Sequence, residues 1–269
     1  MRKQLVISAF ALLLAGCGGI PNSGPVVQGQ RVDVVRTDGY VRVIARPPSD
    51  GMAQDALVRG FLSACASVAD GDVTARDYLT SNASQSWKLQ QLIQVYDAAG
   101  MSVTAERGES IRFTAPLLGT IDAAHRYRTA AAGAMVDETF KLVQVRGQWR
   151  IDSTPGALYL GESDVARSFR VRQVYFLNQD FTQLIPDYVV LPIGIGNMPT
   201  MLMSSLLSGP ASEGAISTAI PSGTQLSTTP VSVDGVTALV QLDRGLLNSS
   251  NEDREAVAAQ LTCTLMQLP

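Results

Sequence analysis

Apolar residues recur along this chain in two rhythms, and the places where the rhythm changes divide it. Leu57, Val58, Phe61, Leu62, Cys65 and Val68 fall at the i, i+4, i+8 spacing of an amphipathic helix laid on a core. Ser49 or Asp50 is placed to cap it. Two shorter helices are predicted after it, "DVTARDYLT" past the Gly71 break and then "SNASQSWKLQ". Beyond Leu92 the period becomes that of strands. "LIQVYD", "MSVTAER", "SIRFTAPLLG", "HRYRTAAA", "ETFKLVQV" and "QWRIDST" are short β-type runs separated by Gly or Ala-Gly. Gly147, between "KLVQV" and "QWRID", marks a tight hairpin. Helices followed by a run of antiparallel strands predict an α+β domain over 51–162.

A second unit, 163–269, mixes the two rhythms again. "VRQVYFLNQDFTQLIPDYVVLPI" reads as a strand, a turn near Asn178 to Asp180 and a second extended segment. Asn197 is placed to cap a helix with Pro199 in its first turn. Met198, Met201, Leu202 and Leu206 form the apolar side of that helix, with Met203 off the stripe. Gly209-Pro210 stops it, since Gly accepts the left-handed C-terminal position and Pro cannot continue a helix. A hairpin is predicted around Asp234-Gly235. The last helix opens on Ser250 and Asp253 at capping-box spacing, with Val257, Leu261, Thr264, Leu265 and Leu268 on one face.

The first fifty residues behave differently. Arg2 and Lys3 precede Leu5 to Leu14, an apolar stretch broken only by Ser8. About ten residues cannot cross a hydrocarbon layer of roughly 30 Å as a helix, but they have the size of a signal-peptide apolar region. Leu14-Ala15-Gly16-Cys17 closes the run and resembles the bacterial lipobox, whose cysteine is acylated and becomes the new N-terminus. Cys17 is thus expected to be the lipid anchor, with residues 1–16 the signal peptide. Several acyl chains hold a protein firmly, because each buried CH₂ contributes about 0.8 kcal/mol. From 17 to 50 the chain is read as a flexible tether, with Pro21, Pro25, Pro47 and Pro48 and little to bury.

Charge and cysteine usage narrow the picture. Arg2 and Lys3 leave with the signal peptide, so 21 basic residues become 19 against 24 acidic ones, a net charge of −5. An acidic chain lacks the clustered basic face that a nucleic acid would require. Cys65 and Cys263 lack CxxC spacing and lie in helical stripes, so buried free thiols are expected rather than a disulfide. A single histidine, His125, in "DAAHRYRT" beside Arg126 and Arg128, cannot build a multi-His metal site. No Gly-x-Ser-x-Gly elbow, P-loop or GxGxxG is present. Asp122, Asp137 and Asp152 are the carboxylates placed to line the mouth of a concave first-domain sheet, or else to sit at turns and strand ends. No catalytic residue, metal or cofactor is expected.

Two resemblances extend this reading. "VRGFLSACASVADGDVTARDYLTSNASQSW" with "FKLVQVRGQWRID" is similar to nuclear transport factor 2-like (cystatin-like) domains, in which a long helix packs into a curved antiparallel sheet. "VYFLNQD…LIPDYVVLP", "LMSSLLSGP", "AIPSGTQL", "VDGVTALVQLD" and "REAVAAQLTCTL" resemble, in that order, a GerMN domain of α/β-sandwich type. A lipobox, a tether, a helix-first α+β domain and then GerMN is the order of the actinobacterial LpqB lipoprotein family. That resemblance implies a lipid-anchored protein on the extracytoplasmic face of the cell membrane. It also implies a non-enzymatic accessory of the MtrA–MtrB two-component system that contacts the sensor histidine kinase. GerMN domains usually continue into another strand, and LpqB proteins into a β-propeller. This sequence stops at Leu268-Pro269, so it reads as a truncated product, a fragment or a shorter relative. An envelope or peptidoglycan binder, and a small-ligand binder using the first domain's pocket, are the alternatives.

Overall fold

Helix α1 (Gln54–Cys65) buries Leu57, Val58, Phe61, Leu62 and Cys65, the stripe that its spacing predicts. The computed structural model describes residues 45–67, 72–87, 92–153, 155–194, 197–211, 216–227, 230–243, 246 and 249–268. All of these belong to one compact unit, Tyr40–Pro269. Neither Ser49 nor Asp50 caps α1. They sit in a turn closed by the Met52 N–H on the Ser49 carbonyl at 3.3 Å, and Ala53 occupies the position before Gln54. Helix α2 (Val73–Arg76) is a single turn, while α3 (Ser81–Ser86) is capped by Thr80, whose Oγ1 accepts from the Ala83 N–H at 3.2 Å.

Seven strands then form one mixed sheet: β1 (Leu92–Tyr96), β2 (Ser102–Ala105), β3 (Ser110–Asp122), β4 (Tyr127–Thr129), β5 (Met135–Val145), β6 (Gln148–Ile151) and β7 (Leu158–Gly161). The order is β6-β5-β3-β1-β7, with β2 and β4 also pairing to β3. The first half of β3 pairs with β2 and β5, and its second half with β1 and β4. This handover, with a bulge in the β1–β3 register at Val95/Tyr96, curls the sheet around α1. The β5–β6 hairpin turns on Arg146 (φ 53°) and Gly147 (φ 76°), as the position of Gly147 predicts. Strand β7 runs parallel to β1 and is buried along its whole length. Leu-Tyr-Leu-Gly therefore carries no alternation to announce it.

Helix α4 (Glu162–Ser168) leads from β7 into β8 (Phe169–Leu177), which pairs with β9 (Leu184–Pro192) over nine residues. Asn178 makes the turn between them, its Oδ1 accepting from the Thr182 N–H at 2.8 Å and the Gln183 N–H at 3.1 Å. Helix α5 (Met198–Leu207) begins on Asn197, whose Oδ1 accepts from the Thr200 N–H at 2.9 Å, and ends before Gly209 at φ 78°. Met203 is fully buried with Leu202 and Leu206, contrary to its expected place off the stripe. The reason is that α5 is packed from several sides at once: by β8, β9, the short hairpin β10 (Ser232–Asp234) with β11 (Thr237–Leu239), and the last helix, α6 (Asn251–Leu265). The Ser250–Asp253 capping box forms, with Ser250 Oγ accepting from the Asp253 N–H at 3.0 Å.

Two hydrophobic clusters result. One gathers α1, the curled sheet and Phe169, and the other gathers Val174, Phe176, Val189, Leu191, Leu202, Met203, Leu206 and Val257. The chain is thus two domains of mixed α and β content. Cys65 and Cys263 are both free thiols, Cys65 buried as expected and Cys263 only half-buried, contrary to the expectation. Burial pushes the Cys65 thiol well above its ordinary range, so it stays protonated and unreactive near neutral pH.

Candidate functional site

The residues with the clearest sequence signal, Cys17 with Leu14, Ala15 and Gly16, lie outside the described residues. What the structure tests is whether the first domain encloses a reactive pocket. Its hollow is occupied by side chains instead. Phe61 meets Trp87 at 5.4 Å and Phe140 at 5.7 Å, and Phe113 meets Tyr96 at 5.2 Å and Tyr159 at 5.5 Å between ring centroids. These mostly edge-to-face pairs fill the space between α1 and the sheet. Trp87 is buried and Trp149 half-buried, so neither offers an open stacking platform.

None of the three expected carboxylates lines that hollow. Asp122 Oδ1 accepts from the Ala124 and Arg126 N–H groups, both at 2.9 Å, and shapes the β3–β4 turn. Asp137 lies mid-strand on the solvent side, where Arg112 Nε donates to its Oδ1 at 2.7 Å and holds the carboxyl below its ordinary range. Asp152 Oδ1 accepts from the Thr80 hydroxyl at 2.9 Å. The carboxylate that does face inward is Glu138, which sequence reasoning missed. It follows Val136 and precedes Phe140 on the inner face of β5, and the Tyr159 hydroxyl donates to its Oε2. Burial, and then that hydrogen bond, push the Tyr159 phenol far upward, so it remains a donor. The signal was available: alternation from Val136 through Phe140 puts residue 138 on the buried side.

His125 is also drawn into the fold, away from solvent. It sits at φ 62° in the β3–β4 turn, half-buried, where the two domains meet. Its carbonyl accepts from the Val190 N–H of β9 at 2.8 Å, and its Nδ1 lies 3.3 Å from the hydroxyl of Ser205 on α5. Arg126 donates to the Gly209 carbonyl just past α5, and Asp187 Oδ2 of β9 accepts from the Ala211 N–H at 3.2 Å. Burial lowers the imidazole pKa from its ordinary 6.5, against an upward pull from Asp122. Among the described residues no group of three or more His, Cys, Asp or Glu side chains is placed to hold a metal ion. Nor is any helix among them long and apolar enough to cross a membrane.

Comparison with known proteins agrees with this two-domain layout. Residues 47–166 match the family described as Lipoprotein LpqB, N-terminal domain, and residues 173–269 match Germane, described as sporulation and spore germination. The chain is 31% identical to Lipoprotein LpqB of Thermobifida fusca over 97% of its own length and 44% of that protein. It is 32% identical to Lipoprotein LpqB of Cutibacterium acnes over 98% of its length and 44% of that protein. The LpqB of Streptomyces coelicolor is 29% identical, with 99% of this chain and 48% of that protein covered. The chain thus spans a little under half the length of these relatives. No solved structure matches it. With both domain matches in order and this identity along nearly its whole length, the chain belongs to the LpqB lipoprotein family.

Proposed function

We propose that this protein is a membrane-anchored lipoprotein of the extracytoplasmic face, held by acyl chains on Cys17. In this reading it acts as a non-enzymatic accessory of a two-component sensor kinase of the MtrA–MtrB type, through protein–protein contact. The observation that carries the reading is membership of a family of lipoproteins, to which the Leu14-Ala15-Gly16-Cys17 motif adds an attachment point. The first domain is read as nuclear transport factor 2-like and the second as a GerMN sandwich. An aromatic-filled hollow and an engaged Glu138 support recognition by the outer surfaces rather than turnover inside. Anchoring both proteins in one membrane raises their effective concentration, so a weak contact suffices. Such a contact biases a kinase when it favours one signalling state by about 1–3 kcal/mol.

The test is cross-linking in living cells, followed by recovery of the lipidated chain from membranes. Enrichment of a sensor kinase over other lipoproteins is the expected result. Recovery of wall fragments without a kinase would overturn the accessory role in favour of envelope binding.

A further inference from the structure

The only histidine of the chain occupies the place where the two domains hold each other. The junction around it is built by the β3–β4 turn, β4, β9 and α5. The turn itself carries Asp122 and Arg126, β4 carries Tyr127 and Arg128, β9 carries Asp187 and Tyr188, and α5 (Met198–Leu207) carries no charged residue at all. Asp122 already accepts two backbone N–H groups through Oδ1, and Asp187 is engaged with Ala211. A proton added to the ring therefore faces a buried serine hydroxyl and an uncharged helix, with the guanidinium of Arg126 on the adjacent residue. Ser205 itself is 1% exposed, so the ring gains little water on that side.

We propose that this junction is an acid-sensitive latch: neutral His125, seated against Ser205 while its carbonyl holds the Val190 N–H, keeps the domains docked, and protonation releases them. The direction follows from linkage. In the docked arrangement burial lowers the imidazole pKa from its ordinary value, against the upward pull of Asp122. The junction therefore has full strength above the ordinary imidazole value of 6.5 and loses it as pH falls below that value toward the lowered one. A protein on the outer face of a membrane meets the external pH directly. The latch would thus alter how the two domains present themselves to a partner without any change in either core.

The Val190 amide reports the latch, because it bonds across the junction to His125 and not within the β8–β9 pair. Amide hydrogen exchange of the full chain, corrected for intrinsic pH dependence and referenced to Phe113 inside β3, is followed from about pH 8 to about pH 5. NMR titration of the single imidazole supplies its pKa independently. The expected result is a Val190 exchange ratio that rises on acidification, by at most the ratio of the docked and free acid dissociation constants. His125→Asn, which tolerates a left-handed φ and does not titrate in this range, is expected to leave the ratio flat. An unchanged ratio in the native protein, an equal rise in His125→Asn, or an imidazole pKa above 6.5 would each overturn the latch.

Discussion

Tyr159 and Glu138 form a polar pair at the first domain's interior. Tyr159 is 1% exposed and donates to the only inward carboxylate described on β5. Removing the hydroxyl takes the donor from half-buried Glu138, a loss of about 1 kcal/mol. Tyr159→Phe should lower the urea midpoint of the first domain accordingly, while adding Glu138→Gln should recover part of the loss. Tryptophan fluorescence reads this domain selectively, since both tryptophans, Trp87 and Trp149, belong to its core. At this scale the sequence was only partly legible. Strand parity could have placed Glu138 inside, because Val136, Phe140 and Leu142 share its side. The partner of His125, however, lies 80 residues away on another domain, and no local pattern encodes such a distance.

Helix α6 offers the sharpest lesson among the elements, because its buried face is partly polar. Gln260 and Thr264 are 0% exposed. Thr264 Oγ1 accepts from the Tyr175 N–H at 3.0 Å, and Gln260 Nε2 donates to the Tyr175 carbonyl at 3.0 Å. Gln267, just beyond the helix, takes both backbone groups of Gln173, accepting from its N–H at 3.0 Å and donating to its carbonyl. Side chains here stand in for a neighbouring strand and close the free edge of β8. The spacing of Val257, Leu261, Thr264, Leu265 and Leu268 correctly marked a packed face, but the amides of Gln260 and Gln267 follow no hydropathy period. Thr264→Val should therefore destabilise the second domain by about 1–3 kcal/mol despite its nearly unchanged shape. Gln267→Ala should cost less, since water can reach that half-buried site. Both changes are expected to speed exchange of the Gln173 and Tyr175 amides, whereas Met266→Ala, at a position 75% exposed, should not.

Across the whole molecule, periodicity and punctuation made the order of elements readable, while tertiary pairing set what they could not. Asn197 and Ser250, the expected caps, hold their helices by hydrogen bonds within one turn, which is why such signals are legible in the sequence. Strand β7 and the shared junction arise from contacts between distant segments, and these have no short-range signature. The proposed anchoring rests on a still smaller piece of chain, the four residues Leu14 to Cys17. The most direct test is the mass of the N-terminal peptide of the protein extracted from membranes. The expected peptide begins at Cys17 and carries acyl chains. A peptide that retains residues 1–16, or one with an unmodified Cys17, would contradict the proposed anchoring.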